Sequence, residues 1–217
     1  MCGGTGNFLH NESDGMNKRL LVIVALVGVA YMLTDAEVDD GDDPDYQAPD
    51  LIDQAWALWD DLTYEGYMTS IEQKNQSAFL RMIRVSEGTS GADGYSILVG
   101  GGHFNSFADH PRTLVWLPNL GINSSAAGAY QILRRTWDAV ASALGLPDFS
   151  PASQDRAAVE LIRRRGALAD VRAGRFAVAL EKCKKEWASL PGAGYGQREN
   201  KLAVLQAAYI NAGGNLA

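Results

Sequence analysis

The spacing of apolar and polar positions divides the chain into an aperiodic front and a periodic back. Residues 1–16 are glycine-rich and polar, which predicts a disordered leader. Leu20 to Leu33 is uncharged and almost wholly apolar, inside a segment 17–34 that opens on Asn17-Lys18-Arg19. Asp35 to Asp50 holds eight acidic residues, no basic one and two prolines, the composition of a solvated linker. A short amphipathic helix is predicted from Leu51 to Asp61, so residues 35–75 read as linker plus helix. Beyond residue 76 the period becomes helical. Phe79, Leu80, Met82 and Ile83 predict a helix over Ala78–Ser86. Gly94 to Gly102 reads as a short β-rich stretch punctuated by glycine, and His103 to Asn123 as mostly loop. Helices are predicted from about Ile132 to Leu144, from Ser150-Pro151 to Arg165, from Arg175 to Leu190 and from Arg198 to Asn211. Ser150 suits an N-cap, Pro151 a first turn and Gly166 a stop. Residues 76–217 therefore predict one α+β domain, mainly helical, with a small sheet near its start.

Charge sharpens the division. The 217 residues carry a net charge of -7, made of -12 over residues 1–75 and +5 over residues 76–217. A basic back half favours an anionic partner, and no run of basic residues interleaved with aromatics points to nucleic acid. Basic residues before Leu20 and acidic ones after Leu33 orient that segment with its N-terminus inside. As a helix its fourteen residues reach about 21 Å, short of the roughly 30 Å hydrocarbon core. It reads either as a signal peptide cleaved after Ala30 or as an uncleaved, weakly held membrane anchor that later leaves the bilayer. Met16 stands as a possible alternative start to Met1. Cys2 and Cys183 lie far apart and imply no disulfide framework. Cys183 falls at the helical spacing of Ala179, Leu180 and Trp187, which predicts a buried, inert thiol. With only His10, His103 and His110 besides, no zinc constellation is visible, and no metal or cofactor is expected.

The chemistry concentrates at Ile83-Arg84-Val85-Ser86-Glu87-Gly88-Thr89-Ser90-Gly91. A helix carries one carboxylate to its end and glycines then open a loop. Apolar neighbours disfavour the charged form of a carboxyl group, and a glutamic acid kept protonated near neutrality can serve as a general acid. A surface Glu is the plain alternative, although the helix dipole disfavours an anion at that end. Asp93 and Asp109 are the nearby second carboxylates, and both read first as turn residues.

Several segments, in order, resemble the endolysin family of lambda-type phages. They are Ser86-Glu87-Gly88-Thr89, Gly94-Tyr95, Val99-Gly100-Gly101, Asp109-His110-Pro111-Arg112, Ala127-Gly128 with Tyr130-Gln131, Ser150-Pro151 with Gln154-Asp155, Arg165-Gly166-Ala167-Leu168, and Trp187 through Gln197. The resemblance implies a lysozyme-like α+β fold. It implies lytic transglycosylase activity on peptidoglycan, with Glu87 as the essential acid and a 1,6-anhydromuramic product. By the same analogy Tyr95, Ser96, His110, Tyr130, Gln131, Tyr195 and Gln197 are substrate-binding candidates. Ser96 departs from the family pattern, which carries Asp there. The apolar segment adds a signal-anchor-release arrangement: export, tethering at the periplasmic face of the inner membrane, then release. A hydrolytic muramidase and a non-catalytic, membrane-tethered wall-binding module are the rival readings.

Overall fold

The computed structural model describes residues 68–217, Gln197 excepted. The expectations for the leader, the Leu20–Leu33 segment, the acidic linker and the Leu51–Asp61 helix lie outside the described residues. Among the described residues no helix is long and apolar enough to cross a membrane.

One helix organises the fold. α1 spans Ser70–Ser86 and buries Asn75, Ala78, Phe79, Met82, Ile83 and Ser86, the three-and-four spacing of one helical face. It starts eight residues before the predicted Ala78 and six before the boundary drawn at residue 76. Its first turns are polar and show no apolar period, but they are capped. The Thr69 hydroxyl accepts from the Glu72 amide at 3.2 Å, and the Thr69 amide donates back to the Glu72 carboxylate at 2.8 Å. The far end is closed by Gly88 at φ 73°. The Gly88 amide donates to Val85 O and the Thr89 amide to Arg84 O, a pair of bonds that requires a left-handed residue at position 88.

The sheet lies elsewhere than expected. β1 (Val115–Leu117) and β2 (Ile122–Ser124) pair antiparallel, with Trp116 opposite Asn123, inside the stretch read as loop. Three-residue strands are too short to show alternation. The glycine-punctuated stretch predicted as β forms instead a 3-10 turn at Gly94–Ser96 and the isolated bridges Ile97–His103 and Leu98–Ala127. A Cβ on Gly94 would come within 1.8 Å of Thr89 O, so this turn is folded hard against the end of α1.

Five further helices follow: α2 (Arg134–Leu144), α3 (Pro151–Arg164), α4 (Leu168–Arg172), α5 (Phe176–Cys183) and α6 (Leu202–Asn211). Ser150 caps α3 through the Ser153 amide, and Pro151 occupies the first turn as its sequence predicts. α4 has five residues, too few to show a period. α5 stops at Cys183 rather than Leu190, because Lys184 to Leu190 continues as turns that carry Trp187 to Tyr130 O (3.1 Å). α6 starts at Leu202 rather than Arg198, because the Asn200 amide is drawn to Ser189 O at 2.8 Å. α1 packs on α6, α4 and α3, and α2 packs on α3. Phe79, Phe176 and Tyr209 meet in one aromatic chain and Trp137 stands edge-on to Phe149 at 4.7 Å. Full burial of a side chain such as Phe79 stabilises the fold by about 1.5–3 kcal/mol.

Candidate active site

Glu87 is the C-cap of α1, placed where the helix ends against the Lys184–Leu190 turns. Burial raises its pKa from 4.5 to about 7, against the lowering effect of one hydrogen bond from Ser189. That bond, Ser189 Oγ to Glu87 Oε1, is 2.6 Å long. Ser86 Oγ lies 2.7 Å from Ser189 Oγ. Asn200 Nδ2 lies 3.0 Å from Ser86 O, 3.2 Å from Ser86 Oγ and 3.3 Å from Ser189 O. Ser189 thus touches the carboxyl group, Ser86 and Asn200 stand behind it, and the four residues, Glu87 included, come from three segments. Near neutral pH a substantial share of this group is protonated, as a general acid requires.

The other carboxylates singled out in the sequence are committed elsewhere. Asp93 is exposed and lies 3.5 Å from His103 Nε2. Asp109 accepts from Arg112 Nε (3.0 Å), the His110 amide (2.7 Å) and Trp137 Nε1 (3.1 Å). Burial acts to raise the Asp109 carboxyl, but these donors outweigh it and hold the group below the usual range. Both are turn residues, as their local sequence reads.

The substrate-binding candidates scatter. Tyr130 is buried in the core, and its hydroxyl donates to Asp155 Oδ1 at 2.6 Å. Tyr95 donates to the same oxygen at 2.8 Å, with the Arg84 guanidinium 4.5 Å from its ring centre. Burial and the Asp155 charge push both phenols upward. These residues line a cleft of about 480 Å³ together with Arg81, Arg84 and Gly91. Glu87 is not part of its wall. His110 is 3% exposed. Its Nε2 meets Ile132 O at 2.9 Å and its Nδ1 accepts from the Arg112 amide at 3.0 Å, which fixes the tautomer with hydrogen on Nε2. Burial lowers its pKa, and the neutral ring lies 4.9 Å from Phe149. His110 is therefore packed, with both ring nitrogens hydrogen-bonded within the fold. The Gln131 amide is turned inward to Gly128 O (3.0 Å) and Ile97 O (3.3 Å), with the residue at φ 48°. Ser96 donates to Asp93 O at 2.9 Å. Tyr195 keeps an exposed ring, its hydroxyl donating to Lys185 O at 3.0 Å. Gln197 lies outside the described residues. None of the described candidates hydrogen-bonds Glu87.

Sequence reasoning missed Ser189, Ser86 and Asn200 as partners of the acid and Asp155 as the shared acceptor of two tyrosines. Ser86 adjoins Glu87 and Ser189 lies in the Trp187–Gln197 stretch, so their presence was visible but not their meeting. Asn200 carries no local signal. Among the described residues no three His, Cys, Asp or Glu side chains gather as a metal site.

A helical body with a small hairpin, and a half-titrating glutamic acid at the end of its central helix, define a lysozyme-like protein. The family model named Endolysin matches residues 77–216, and the chain belongs to that family. It is 47% identical to the endolysin of Escherichia phage lambda over 153 residues, covering 67% of this chain and 96% of the relative. It is 46% identical to the endolysin of Escherichia phage P2 over 155 residues, covering 65% and 94%. The solved structure of bacteriophage lambda lysozyme complexed with a chitohexasaccharide matches with a TM-score of 0.63 at 46% identity, over 66% of this chain and 97% of that one. A second structure of the lysozyme from bacteriophage lambda gives 0.61 at 45%, with the same coverage.

Proposed function

We propose that this endolysin cleaves the MurNAc-GlcNAc β-1,4 bond of peptidoglycan as a lytic transglycosylase, with Glu87 as its only essential acid. The observation that carries the reading is the Glu87 carboxyl itself, buried, raised to about 7 and in contact with one neutral hydroxyl rather than a second carboxylate. The glycan held by the related lambda lysozyme supports a polysaccharide substrate. Glu87 gives its proton to the glycosidic oxygen as the C1–O bond breaks. The resulting carboxylate then takes the proton of the muramic acid C6 hydroxyl, whose oxygen closes on C1. The product ends in 1,6-anhydromuramic acid and Glu87 regains its starting form. No second carboxylate is needed, unlike the usual two-carboxylate glycosidase.

The test is mass spectrometry of the products from purified peptidoglycan, with the native chain and Glu87→Gln. Anhydro ends from the first and no products from the second are expected. Reducing ends, heavier by one water, would make the enzyme a hydrolytic muramidase, and lysis retained by Glu87→Gln would remove Glu87 from its role.

We also propose that the Leu20–Leu33 segment delivers the chain through the host secretion machinery to the periplasmic face of the inner membrane, from which it is later released. The support is the apolar run, its short reach and its flanking charges. Cell fractionation with N-terminal sequencing checks it. Full-length chain in the membrane fraction before lysis fits the anchor, and a mature start at Tyr31 overturns it.

A further inference from the structure

The hydroxyls around Glu87 form a one-way chain. Asn200 Nδ2 faces Ser86 O and Ser189 O, and carbonyls can only accept, so the nitrogen of this amide must point at them. Ser189 O receives the Asn200 backbone amide at 2.8 Å and lies farther from the side-chain nitrogen, at 3.3 Å, than Ser86 O and Ser86 Oγ at 3.0 and 3.2 Å, so the two side-chain hydrogens are directed chiefly to Ser86. A serine hydroxyl has one hydrogen. Ser189 directs its hydrogen to Glu87 Oε1 at 2.6 Å, so in the 2.7 Å contact between the two serines Ser86 is the donor. The order is Asn200 to Ser86 to Ser189 to Glu87.

We infer that this relay fixes the acidic proton of Glu87 on Oε2, and that Ser189 is a positioning residue whose hydroxyl selects which carboxyl oxygen delivers it. This deepens the transglycosylase reading and rests on Glu87 being its acid. A proton on Oε1 would force Ser189 to turn its hydrogen toward Ser86. The buried Ser86 hydroxyl, already an acceptor from Asn200, would then lose the acceptor of its own hydrogen. The relay resists that reversal at each step, since a buried donor without an acceptor is costly. In the base half of the reaction the same hydrogen bond stabilises the carboxylate that receives the C6 proton.

Neighbouring charges do not perform this task. The Arg84 guanidinium of the same helix lies over Tyr95 and donates to Thr89 O and Gly91 O. Glu199, beside Asn200, accepts the amides of Gly192 and Gly194. Lys185 on the Ser189 segment lies near the Tyr195 ring, and Glu186 pairs with Arg165. Only burial and Ser189 move Glu87.

Two measurements test the relay on the full chain. Carboxyl ¹³C titration of Glu87 by NMR reads the group without reference to activity, and the pH profile of kcat/KM reads the acid in use. Ser189→Ala is expected to raise the Glu87 midpoint by about one pH unit, move the basic limb upward by the same amount, and lower kcat about tenfold with KM unchanged. Ser189→Thr, which keeps the hydroxyl, should restore both. Asn200→Asp turns a donor into an acceptor, draws the Ser86 hydrogen away from Ser189, and should shift the midpoint in the same direction by less. An unmoved Glu87 midpoint in folded Ser189→Ala, or a Thr variant no better than Ala, overturns the inference. The transglycosylase reading fails separately, through an active Glu87→Gln or reducing-end products.

Discussion

Gln154 offers the sharpest test of how the loops around the site are held. It is fully buried on α3, and its amide makes three hydrogen bonds. Oε1 accepts the Ala129 amide at 2.8 Å, while Nε2 donates to Phe149 O at 2.8 Å and Tyr95 O at 3.0 Å. One side chain thus ties together the Gly128–Gln131 turn, the Gly94–Ser96 turn and the lead-in to α3. Gln154→Leu keeps much of the volume and strands three backbone groups. Each buried group left unpaired costs about 1–3 kcal/mol, and water reaching the half-buried Tyr95 side relieves part of it, so the expected loss is about 4 kcal/mol. Against a total of about 5–15 kcal/mol this is large enough to read directly from urea or guanidinium denaturation, as a fallen midpoint with unchanged slope. Gln154→Glu adds a signature in pH. Its carboxylate would face two carbonyls, so the folded state holds it protonated and its pKa rises above the unfolded value. Stability is then fully present below the unfolded pKa and is lost as pH rises through the folded one. A loss under about 1 kcal/mol in Gln154→Leu, or a Gln154→Glu chain whose stability is flat with pH, would refute the accounting.

Further outcomes follow from the same structure. Glu87 titrates at about 7 when folded against 4.5 when unfolded, so it favours folding most below pH 4.5 and loses that contribution as pH rises through 7. Thermal melts of Glu87→Gln should therefore equal or exceed the native chain above pH 7, by at most about 3 kcal/mol, and a variant less stable there contradicts the assignment. Cys183 is fully buried with its thiol pushed up to about 12, so in a Cys2→Ser background a thiol reagent should label the chain only on unfolding. Labelling of the folded protein at the rate of a small thiol counts against this. A chain shortened to begin at Gln76 loses the Thr69–Glu72 cap and Asn75, which donates to Arg172 O and accepts from the Asn215 amide. It should be less stable than one begun at Met68 by about 2 kcal/mol or more, and equal denaturation midpoints would contradict this accounting.

The features legible in the sequence are those encoded within one turn of their own position. Ser150-Pro151, Gly166 and the Ile83–Gly88 helix end were readable because caps, breakers and a helical stripe are local chemistry. The central acid was readable for the same reason, as a carboxylate at the end of an apolar run. The start of α1 was not, because Ser70–Asn75 is polar outside its single buried amide, and a capping box without an apolar period gives only half a signal. The hairpin was missed because each strand is three residues long.

Three of the candidate sugar-binding residues have polar groups turned into the fold for one physical reason. Tyr130, Gln131 and His110 carry groups suited to a sugar, but each group is also suited to a buried backbone or carboxylate, and the fold uses it there. Tyr130 reaches Asp155 across 25 residues and His110 reaches Ile132 across 22. Residue type states what a side chain can bond, and only the packing states which partner it meets first. The helix end that carries Glu87 was readable because it is local, but the burial that raises its carboxyl comes from packing against the Lys184–Leu190 turns. The hydroxyl that touches Glu87 arrives from 102 residues away and the amide that holds Ser86 from 114. The sequence can therefore locate the glutamic acid at the helix end, while the hydroxyl and amide gathered beside it are decided by contacts that exist only after α1, the Lys184–Leu190 turns and the lead-in to α6 have met.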